Sequence, residues 1–346
     1  MATRSPHWLK NGLISLAVSV HFRLNMGELI LQNQTLKTEF ILLGFSDLSL
    51  PVQQFLFVLL LLVYMLAVTG NLLVFTILTV DPVLHTPMYF FLRNLSFVEM
   101  FLTTITVPNT LKNLLTDDGS ISFLGCALQM YFFVLFVNEE CVLLCIMAYD
   151  RYVAICNPLR YSIVMSNIRC IYIAMGSWIM CILFQFGQVT FIFSLPFCKS
   201  NKIHHFFCDI SPVLKLSCTD TYLNDIVRMT ASVLFLLIPF MIILSSYIYI
   251  FSTVMKMTSK AGRSKAFSTC ASHLTTVTLF YGTAMLVYLQ PSEGYVDERV
   301  FAICYCLINP LLNPLIYSLR SKEVKGSLKR KIWDKVLFLF KPRHLL

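Results

Sequence analysis

Long apolar stretches separated by short polar connections make up most of this chain. Seven stretches contain 18 or more mostly apolar residues, which is long enough for a helix to cross a bilayer. They occupy residues 52–80, 87–111, 123–155, 170–197, 226–255, 266–290 and 300–319. The pattern predicts an all-α membrane protein, folded as a bundle of seven transmembrane helices.

The composition supports this prediction. Of the 346 residues, 57% are hydrophobic and 13% are charged, whereas about 25% of the residues in soluble domains are charged. A water-soluble fold is therefore not expected, and the seven spans leave little chain for a second domain. The net charge of +9 would indicate nucleic-acid binding in a soluble protein, so its meaning depends on where the basic residues lie.

Basic residues collect on one side of the predicted bundle. Sixteen of the 27 lysines and arginines lie around the third and fourth stretches, between the fifth and sixth, and in the tail, while Arg93 and Arg228 lie just inside helix ends. Because cytoplasmic loops are enriched in Lys and Arg, that side is predicted to face the cytoplasm, where it meets anionic lipid rather than nucleic acid. Residues 52–319 are thus predicted to form a seven-transmembrane domain in the plasma membrane. Residues 1–51 would lie outside the cell, and the tail, residues 320–346, would lie in the cytoplasm.

The first residues allow more than one interpretation. A short apolar stretch after Arg4 and Lys10 is compatible with a signal peptide, although no clear cleavage site follows it. Alternatively, residues 1–25 are a dispensable extension and Met26 is a second start. Asn33 begins an Asn-Gln-Thr sequon on the predicted outer side, and we expect it to carry a glycan.

Four of the twelve cysteines are predicted to face the oxidising outer side. They are Cys126, Cys198, Cys208 and Cys218. Four cysteines allow three pairings, and their spacing does not choose among them. His204, His205 and Cys208 also suggest a metal site, but a cysteine in a disulfide cannot be a thiolate ligand. We therefore favour a disulfide over a metal here.

Two acidic residues are predicted to lie inside the bundle, where an ionised group is costly unless it is paired. Glu99 and Glu140 reach similar depths on neighbouring helices, so they are predicted to share a proton or to hold a sodium ion. Further ligands would come from three amides: Asn71, Asn309 and Asn313. A hydrogen-bonded polar core with one protonated acid is the alternative. Glu139, next to Glu140, has no evident partner.

Two further patterns concern the later helices and the tail. Pro239, Pro310 and Pro314 interrupt the fifth and seventh stretches, where they are candidate hinges. In the tail an apolar residue recurs at every fourth position, with basic residues between: Val324, Leu328, Ile332, Val336 and Phe340. This spacing predicts an amphipathic helix on the cytoplasmic membrane face, with a frayed basic tail as the alternative.

Several short motifs occur in a fixed order along the predicted helices. Met-Ala-Tyr-Asp-Arg-Tyr-Val-Ala-Ile-Cys at 147–156 is the most specific. Others are Pro-Met-Tyr-Phe-Phe-Leu at 87–92, His-Phe-Phe-Cys-Asp at 205–209, Lys-Ala-Phe-Ser-Thr-Cys at 265–270 and Pro-Leu-Leu-Asn-Pro-Leu-Ile-Tyr at 310–317. Together they resemble the olfactory (odorant) receptors, a family of rhodopsin-like (class A) G protein-coupled receptors. The resemblance covers roughly residues 33–331.

The resemblance implies specific roles for some residues. It implies one disulfide between Cys126 and Cys208 and a second between Cys198 and Cys218. It also implies that Arg151, flanked by Asp150 and Tyr152, is the switch that meets a G protein. The same resemblance gives four other residues a role in activation: Tyr247, Asn313, Pro314 and Tyr317.

The resemblance further implies an odorant pocket in the outer half of the third, fifth, sixth and seventh helices. Ten residues match lining positions: Phe133, Val134, Val137, Asn138, Phe235, Tyr281, Ala284, Met285, Tyr288 and Cys306. Most are apolar or aromatic, with a few hydroxyl or amide groups, so the ligand is expected to be small, neutral and weakly polar. Glu99 departs from the family, which usually has Asp at this position.

These observations predict an odorant receptor. It would bind a small hydrophobic or volatile molecule and activate a stimulatory heterotrimeric G protein of the olfactory type, which raises cAMP. A non-olfactory chemosensor of the same fold is the alternative within this class. A transporter or channel would show paired inverted repeats, which the sequence lacks, and no enzyme is expected because common catalytic motifs are absent.

Overall fold

Seven long helical segments follow one another along the chain. The structure is a computed structural model in which residues 39–288, 298–320 and 323–330 are described. The segments are α1 (Leu50–Val80), α2 (Pro87–Thr116), α3 (Phe123–Cys156), α4 (Asn167–Phe193), α5 (Tyr222–Lys256), α6 (Lys260–Tyr288) and α7 (residues 298–320). The predicted seven-helix architecture is confirmed.

The helices differ in their apolar character. Within the described residues, α1 to α5 are long and apolar enough to cross a membrane. α6 has 29 residues, but basic residues in its first turns and several Ser and Thr residues make it more polar. α7 consists of three consecutive pieces, which are Glu298–Ile303, Cys304–Ile308 and Asn309–Arg320.

A π-helical turn precedes a proline in both α5 and α7. In α5 the turn spans Val233–Leu237, just before Pro239, and in α7 it spans Cys304–Ile308, just before Pro310. Proline lacks an N–H, and in a regular α-helix its ring collides with the carbonyl group four residues earlier. The wider π turn relieves that collision. Pro314, by contrast, lies within α-helix.

α3 occupies the centre of the bundle. It is the most buried of the helices α1 to α5, and it packs against α2, α4, α5 and α6. Large aromatic side chains are fully buried around it, including Phe133, Tyr281 and Tyr305. Side chains of α3 therefore reach the interior from one end of the bundle to the other.

One end of the bundle, here called the disulfide end, is covered by residues 39–49 and by the loop between α4 and α5. Disulfides join Cys126 to Cys208 and Cys198 to Cys218, the pairing that the resemblance implies. Beside them is a sheet of β1 (Glu39–Leu42), β2 (Ser120–Ser122) and β3 (Lys202–Ile203), in which β1 is antiparallel to β2 and parallel to β3. The sequence did not predict this sheet, because strands of two to four residues are too short to show a period.

The opposite end, here called the Arg151 end, carries a short helix after α7, α8 (residues 323–330). Val324 and Ser327 are buried, and Lys325 and Lys329 are exposed. Ser327 donates a hydrogen bond to Asp81, in the connection between α1 and α2, and Arg330 Nη2 donates to the same carboxylate oxygen at 2.9 Å. The remaining residues of the predicted amphipathic helix lie outside the described residues, as do Asn33 and Met26.

Candidate functional site

A small cavity lies between α3, α4, α5 and α6, in the half of the bundle nearer the disulfide end. Its volume is about 40 Å³. Five of the ten residues predicted to line a pocket border it: Val134, Val137, Asn138, Phe235 and Ala284. The sequence therefore located one wall of this cavity on α3 and parts of two others on α5 and α6.

Other lining residues were missed by the sequence analysis. Gln188 of α4, Arg228 and Ser232 of α5, and Ile210 from the disulfide-bonded loop also border the cavity. Arg228 was noticed only as a charge near a helix end, and a polar Gln188 within an apolar stretch was the other available signal. α4 was absent from the predicted pocket because its sequence does not show which of its faces meets α5.

Among the described side chains, four further predicted residues do not border this cavity. Phe133 packs against Phe207 and Tyr305, with ring centroids 4.5 and 5.8 Å away. The Tyr281 hydroxyl donates to the carbonyl oxygen of Cys141 at 3.0 Å, behind the cavity wall. Cys306 is buried and Met285 is half-buried, while the side chain of Tyr288 lies outside the described residues.

The cavity is too small for a typical ligand. Its 40 Å³ corresponds to about one water molecule, whose share of liquid volume is about 30 Å³, whereas ligand pockets measure about 300–1,000 Å³. Binding of an organic molecule here thus requires the walls to move apart. Phe235 and Leu236, on one wall, belong to the π turn of α5, where the backbone departs from regular helical hydrogen bonding.

A second group of polar residues lies deep in the bundle around Glu99. Asn313 Nδ2 donates to Glu99 Oε1, and Asn71 Nδ2 donates to the carbonyl oxygen of Pro310 at 2.9 Å. Glu140 is completely buried, and within the described residues neither of its carboxylate oxygens has a hydrogen-bond partner. Glu140 acts electrostatically on Glu99, and Asn309 is buried one turn before Asn313. The structure therefore brings the two acids and the amides of Asn71 and Asn313 into one buried cluster.

Glu139 requires a correction to the sequence analysis, which found no partner for it. Ser177 Oγ of α4 donates to Glu139 Oε1 at 2.8 Å, and both residues are buried. The two residues are 38 positions apart and on different helices, so the spacing along α3 could not reveal the contact.

The predicted switch residues lie at the Arg151 end. Arg151 Nε donates to Asp150 Oδ2 at 2.9 Å, and the hydroxyl group of Tyr161 donates to Asp150 Oδ1 at 2.8 Å. Tyr152 packs against Tyr149 and Tyr249. Asp150 therefore holds the guanidinium group of Arg151. Tyr161, in the connection between α3 and α4, holds the same carboxylate.

A histidine links three helices near this end. His273 Nε2 of α6 donates to the carbonyl oxygen of Leu144 in α3 at 3.1 Å. Nδ1 of the neutral ring then accepts from the hydroxyl of Tyr247 in α5 at 2.8 Å. A groove of about 330 Å³ between α5 and α6 lies beside it and is lined by Tyr247 and Cys270 among mainly apolar residues. Tyr317 of α7 is buried, and its hydroxyl group has no hydrogen-bond partner within the described residues.

The described residues contain no group of three or more His, Cys, Asp or Glu that could hold a metal ion. Cys208, which a metal site at His204 and His205 would need, is in a disulfide. His205 is buried and stacks on Phe206, with ring centroids 4.8 Å apart. The loop at the disulfide end is therefore fixed by a covalent link and by ring packing.

Comparison with known proteins shows extensive similarity to one family. The family model described as "Olfactory receptor" matches residues 60–335. The chain is 47% identical to human olfactory receptor 10A7 over 311 residues, which cover 89% of this chain and 98% of that receptor. It is 49% identical to human olfactory receptor 10C1, over 87% of this chain and 96% of that receptor. It is 44% identical to olfactory receptor 5G29 of Mus musculus, over 88% of this chain and 97% of that receptor. Each match spans nearly all of the other protein.

Proposed function

Because the chain belongs to the olfactory receptor family of rhodopsin-like G protein-coupled receptors, we propose that it binds a small odorant and activates a stimulatory G protein. The family consists of multi-pass membrane receptors and not of enzymes. The G protein would be of the olfactory type, and its activation would raise cAMP. The ligand would occupy the cavity between α3, α4, α5 and α6.

The cavity is the observation that carries this proposal. It is lined by mainly apolar residues with a few polar groups, which is the usual composition of a small-molecule site. Because its volume is about 40 Å³, a ligand fits only after α5 or α6 moves away from α3. A molecule that binds the wider form better than the narrow form shifts the receptor towards it.

At the Arg151 end the same movement would open a site for the G protein. The hydrogen bonds of His273 hold α3, α5 and α6 together there, and Arg151 is held by Asp150. Separation of α5 from α6 would break the Tyr247–His273 contact and widen the groove beside it. Arg151, Tyr152 and Tyr247 would then face the G protein, and Asn313, Pro314 and Tyr317 would adjust the lower part of α7.

The proposed orientation places the disulfide end outside the cell, at the plasma membrane. Disulfides persist in oxidising compartments, and the basic residues at the end of α5, at the start of α6 and in α8 lie at the other end, as expected for the cytoplasmic side. The N-terminal segment with Asn33 would then be extracellular and glycosylated. The basic residues of α8 would contact anionic lipid.

The buried acids are proposed to share a proton or to hold a sodium ion. Glu140 offers two unpartnered oxygens, and the side-chain oxygens of Asn71 and Asn313 are also without a donor among the described residues. Oxygen atoms are the ligands that hard cations prefer, so these residues and Glu99 fit sodium. If sodium binds, replacing sodium chloride by choline chloride will change ligand potency, and Glu99→Gln will reduce that change.

The proposed function can be tested in cells that carry a cAMP reporter. We expect at least one compound of an odorant panel to raise cAMP, and Arg151→Ala to abolish that response while the receptor remains detectable at the cell surface. Arg169→Ala, which removes an exposed arginine at the start of α4, is the matched control and should respond normally. A full cAMP response from Arg151→Ala would contradict the mechanism, and a ligand-evoked current from the purified protein without a G protein would contradict the receptor class.

A further inference from the structure

Three nitrogen-bearing side chains meet at the cavity, one from each of three helices. They are Asn138 of α3, Gln188 of α4 and Arg228 of α5. The rest of the wall includes Val134, Val137 and Phe235, which offer no side-chain hydrogen bonds. The lining therefore combines three side chains that can donate hydrogen bonds with several that are apolar.

Two of these side chains are buried without partners. Gln188 is 3% exposed, and within the described residues neither its nitrogen nor its oxygen makes a hydrogen bond. Asn138 is 7% exposed, and its Nδ2 also lacks an acceptor there. Buried polar groups are nearly always paired, and an unpaired one costs about 1–3 kcal/mol. A bound group that accepts hydrogen bonds at this place would relieve the cost.

Arg228 adds a positive charge that is only weakly neutralised. Its single hydrogen bond within the described residues runs from Nε to Asp225 Oδ1 at 3.4 Å, which is longer than a good charge-assisted bond of about 2.7–2.9 Å. The side chain of Asp225 is 46% exposed, whereas that of Arg228 is 18% exposed. The Nη groups of the guanidinium thus remain available, and their planar fork matches a carboxylate.

Apart from Asp225, the acidic residues near this cavity are engaged elsewhere. Glu139 accepts a hydrogen bond from Ser177, and Asp209 accepts one from the backbone N–H of Ile210 at 2.7 Å. No carboxylate is among the residues that line the cavity in the described part of the chain. The local charge therefore favours an anion and disfavours an amine.

We infer that this receptor recognises small organic acids, whose carboxylate binds Arg228, Gln188 and Asn138 while an apolar tail packs on the apolar residues of the lining. The inference rests on the proposed function of the cavity as the ligand site, and it narrows the ligand class. The ligand is then amphipathic and anionic, in contrast to the neutral molecule that the pocket positions expected from the sequence had suggested.

A matched ligand series tests this inference on the full-length receptor in cells. The series contains straight-chain acids from butanoic to decanoic acid, each with the alcohol, methyl ester and primary amine of the same chain length. We expect at least one acid to raise cAMP at lower concentration than its ester or alcohol, and the amine to be inactive. Arg228→Gln should raise the half-maximal concentration of that acid by about 10- to 100-fold. Arg228→Lys keeps the positive charge and should raise this concentration less.

Two further variants separate a direct role from a change in overall charge. Lys112→Gln removes a cation at the same end of the bundle, where it pairs with Asp118 at 2.8 Å, and it should leave acid potency unchanged. Gln188→Leu should weaken the acid response and keep surface expression, because it replaces an unpartnered buried amide by an apolar group of similar size.

The outcomes distinguish this inference from the proposed function. Wild-type receptor that responds to esters or alcohols but to none of the acids overturns the organic-acid inference and leaves the odorant receptor intact. Equal acid potency in wild type and Arg228→Gln at equal surface levels also overturns it. If neither this series nor a broad odorant panel raises cAMP, both the inference and the proposed function fail.

Discussion

Tyr161 and Arg151 hold the two oxygens of one carboxylate, that of Asp150. The Tyr161 hydroxyl donates to Oδ1 at 2.8 Å, and Arg151 Nε donates to Oδ2 at 2.9 Å. Asp150 is fully buried, so its orientation depends on both donors. The connection between α3 and α4 therefore takes part in holding the arginine in this conformation.

The first prediction concerns this contact. Tyr161→Phe removes the donor to Oδ1, so Asp150 should hold Arg151 less firmly and ligand-independent cAMP should rise. One hydrogen bond contributes about 0.5–1.5 kcal/mol, which corresponds to about a two- to tenfold shift between inactive and active forms. Tyr172→Phe makes the same change at an exposed position of α4 and serves as the control. Unchanged basal cAMP at matched surface levels would show that Tyr161 does not restrain Arg151.

The second prediction concerns the attachment of α8. The Ser327 hydroxyl and the Arg330 guanidinium lower the pKa of Asp81 to about 2. Ser327 is fully buried, whereas the side chain of Arg330 is 56% exposed, and exposed ion pairs contribute little. Ser327→Ala should therefore lower the melting temperature of the purified receptor by about 2–4 °C, and Arg330→Gln by less.

The pH dependence of this contact follows from the lowered pKa. The stabilisation is fully present above the ordinary aspartate pKa of about 4, and it is lost as the pH falls through about 2. The difference in melting temperature between wild type and Ser327→Ala should thus be constant from about pH 5 to about pH 8. A difference that disappears within that range would mean that the Asp81 carboxylate is not the group that binds Ser327.

A third prediction concerns Arg299, which ties the residues just before α1 to the start of α7. Its Nη1 donates to the carbonyl oxygen of Gly44 at 2.7 Å and to Asp47 Oδ1 at 3.0 Å, and its Nη2 donates to Asp47 Oδ2 at 3.1 Å. Asp47→Asn should lower the free energy of unfolding by less than about 1 kcal/mol, because the Arg299–Asp47 pair is largely exposed. Arg299→Gln should lower it further, because the carbonyl oxygen of Gly44 also loses the donor that Arg299 supplies. Thermal unfolding of both single variants and the double variant measures the difference, and equal losses would exclude a role for Gly44.

A fourth prediction concerns Gln129, which joins α2, α3 and the disulfide-bonded loop. Its Nε2 donates to the carbonyl oxygen of Ile105, and its Oε1 accepts from the N–H of Cys208, both at 2.9 Å. Gln129→Leu leaves the buried N–H of Cys208 without its acceptor, so we expect the free energy of unfolding to fall by about 1–3 kcal/mol. Gln129→Glu keeps an acceptor for Cys208 and should lose less. Denaturant unfolding ranks the variants, and a Leu variant as stable as wild type would contradict the prediction.

The helices could be predicted from sequence because a bilayer demands long apolar stretches. Their ends could not be placed as well. α2 continues to Thr116, five residues beyond the predicted end, since polar residues such as Lys112 and Asn113 extend the helix past its apolar part. α4 ends at Phe193 and not at 197, because Pro196 follows and the residue before a proline is biased away from helix.

The site was predictable only in part, through positions matched to the family. Five lining residues could be assigned through the resemblance, and they border the cavity: Val134, Val137, Asn138, Phe235 and Ala284. Gln188 and Arg228 could not, because their meeting depends on how α4 and α5 are rotated in the bundle. The partner of Glu139 on α4 was missed for the same reason. Where lipid surrounds the bundle, the outer face of a helix is as apolar as its inner face. The apolar pattern therefore does not show how each helix is rotated about its axis.

The π turn at Val233–Leu237 has a consequence for how this receptor family can diversify. A π turn holds one residue more than an α-helical turn, so the part of α5 that precedes it is rotated by about 100° relative to a regular helix. Deleting one residue there would turn Arg228 and Ser232 away from the cavity, yet it would leave Tyr247 facing His273. A single insertion or deletion in this turn can therefore change the chemistry offered to ligands while the signalling end keeps its register.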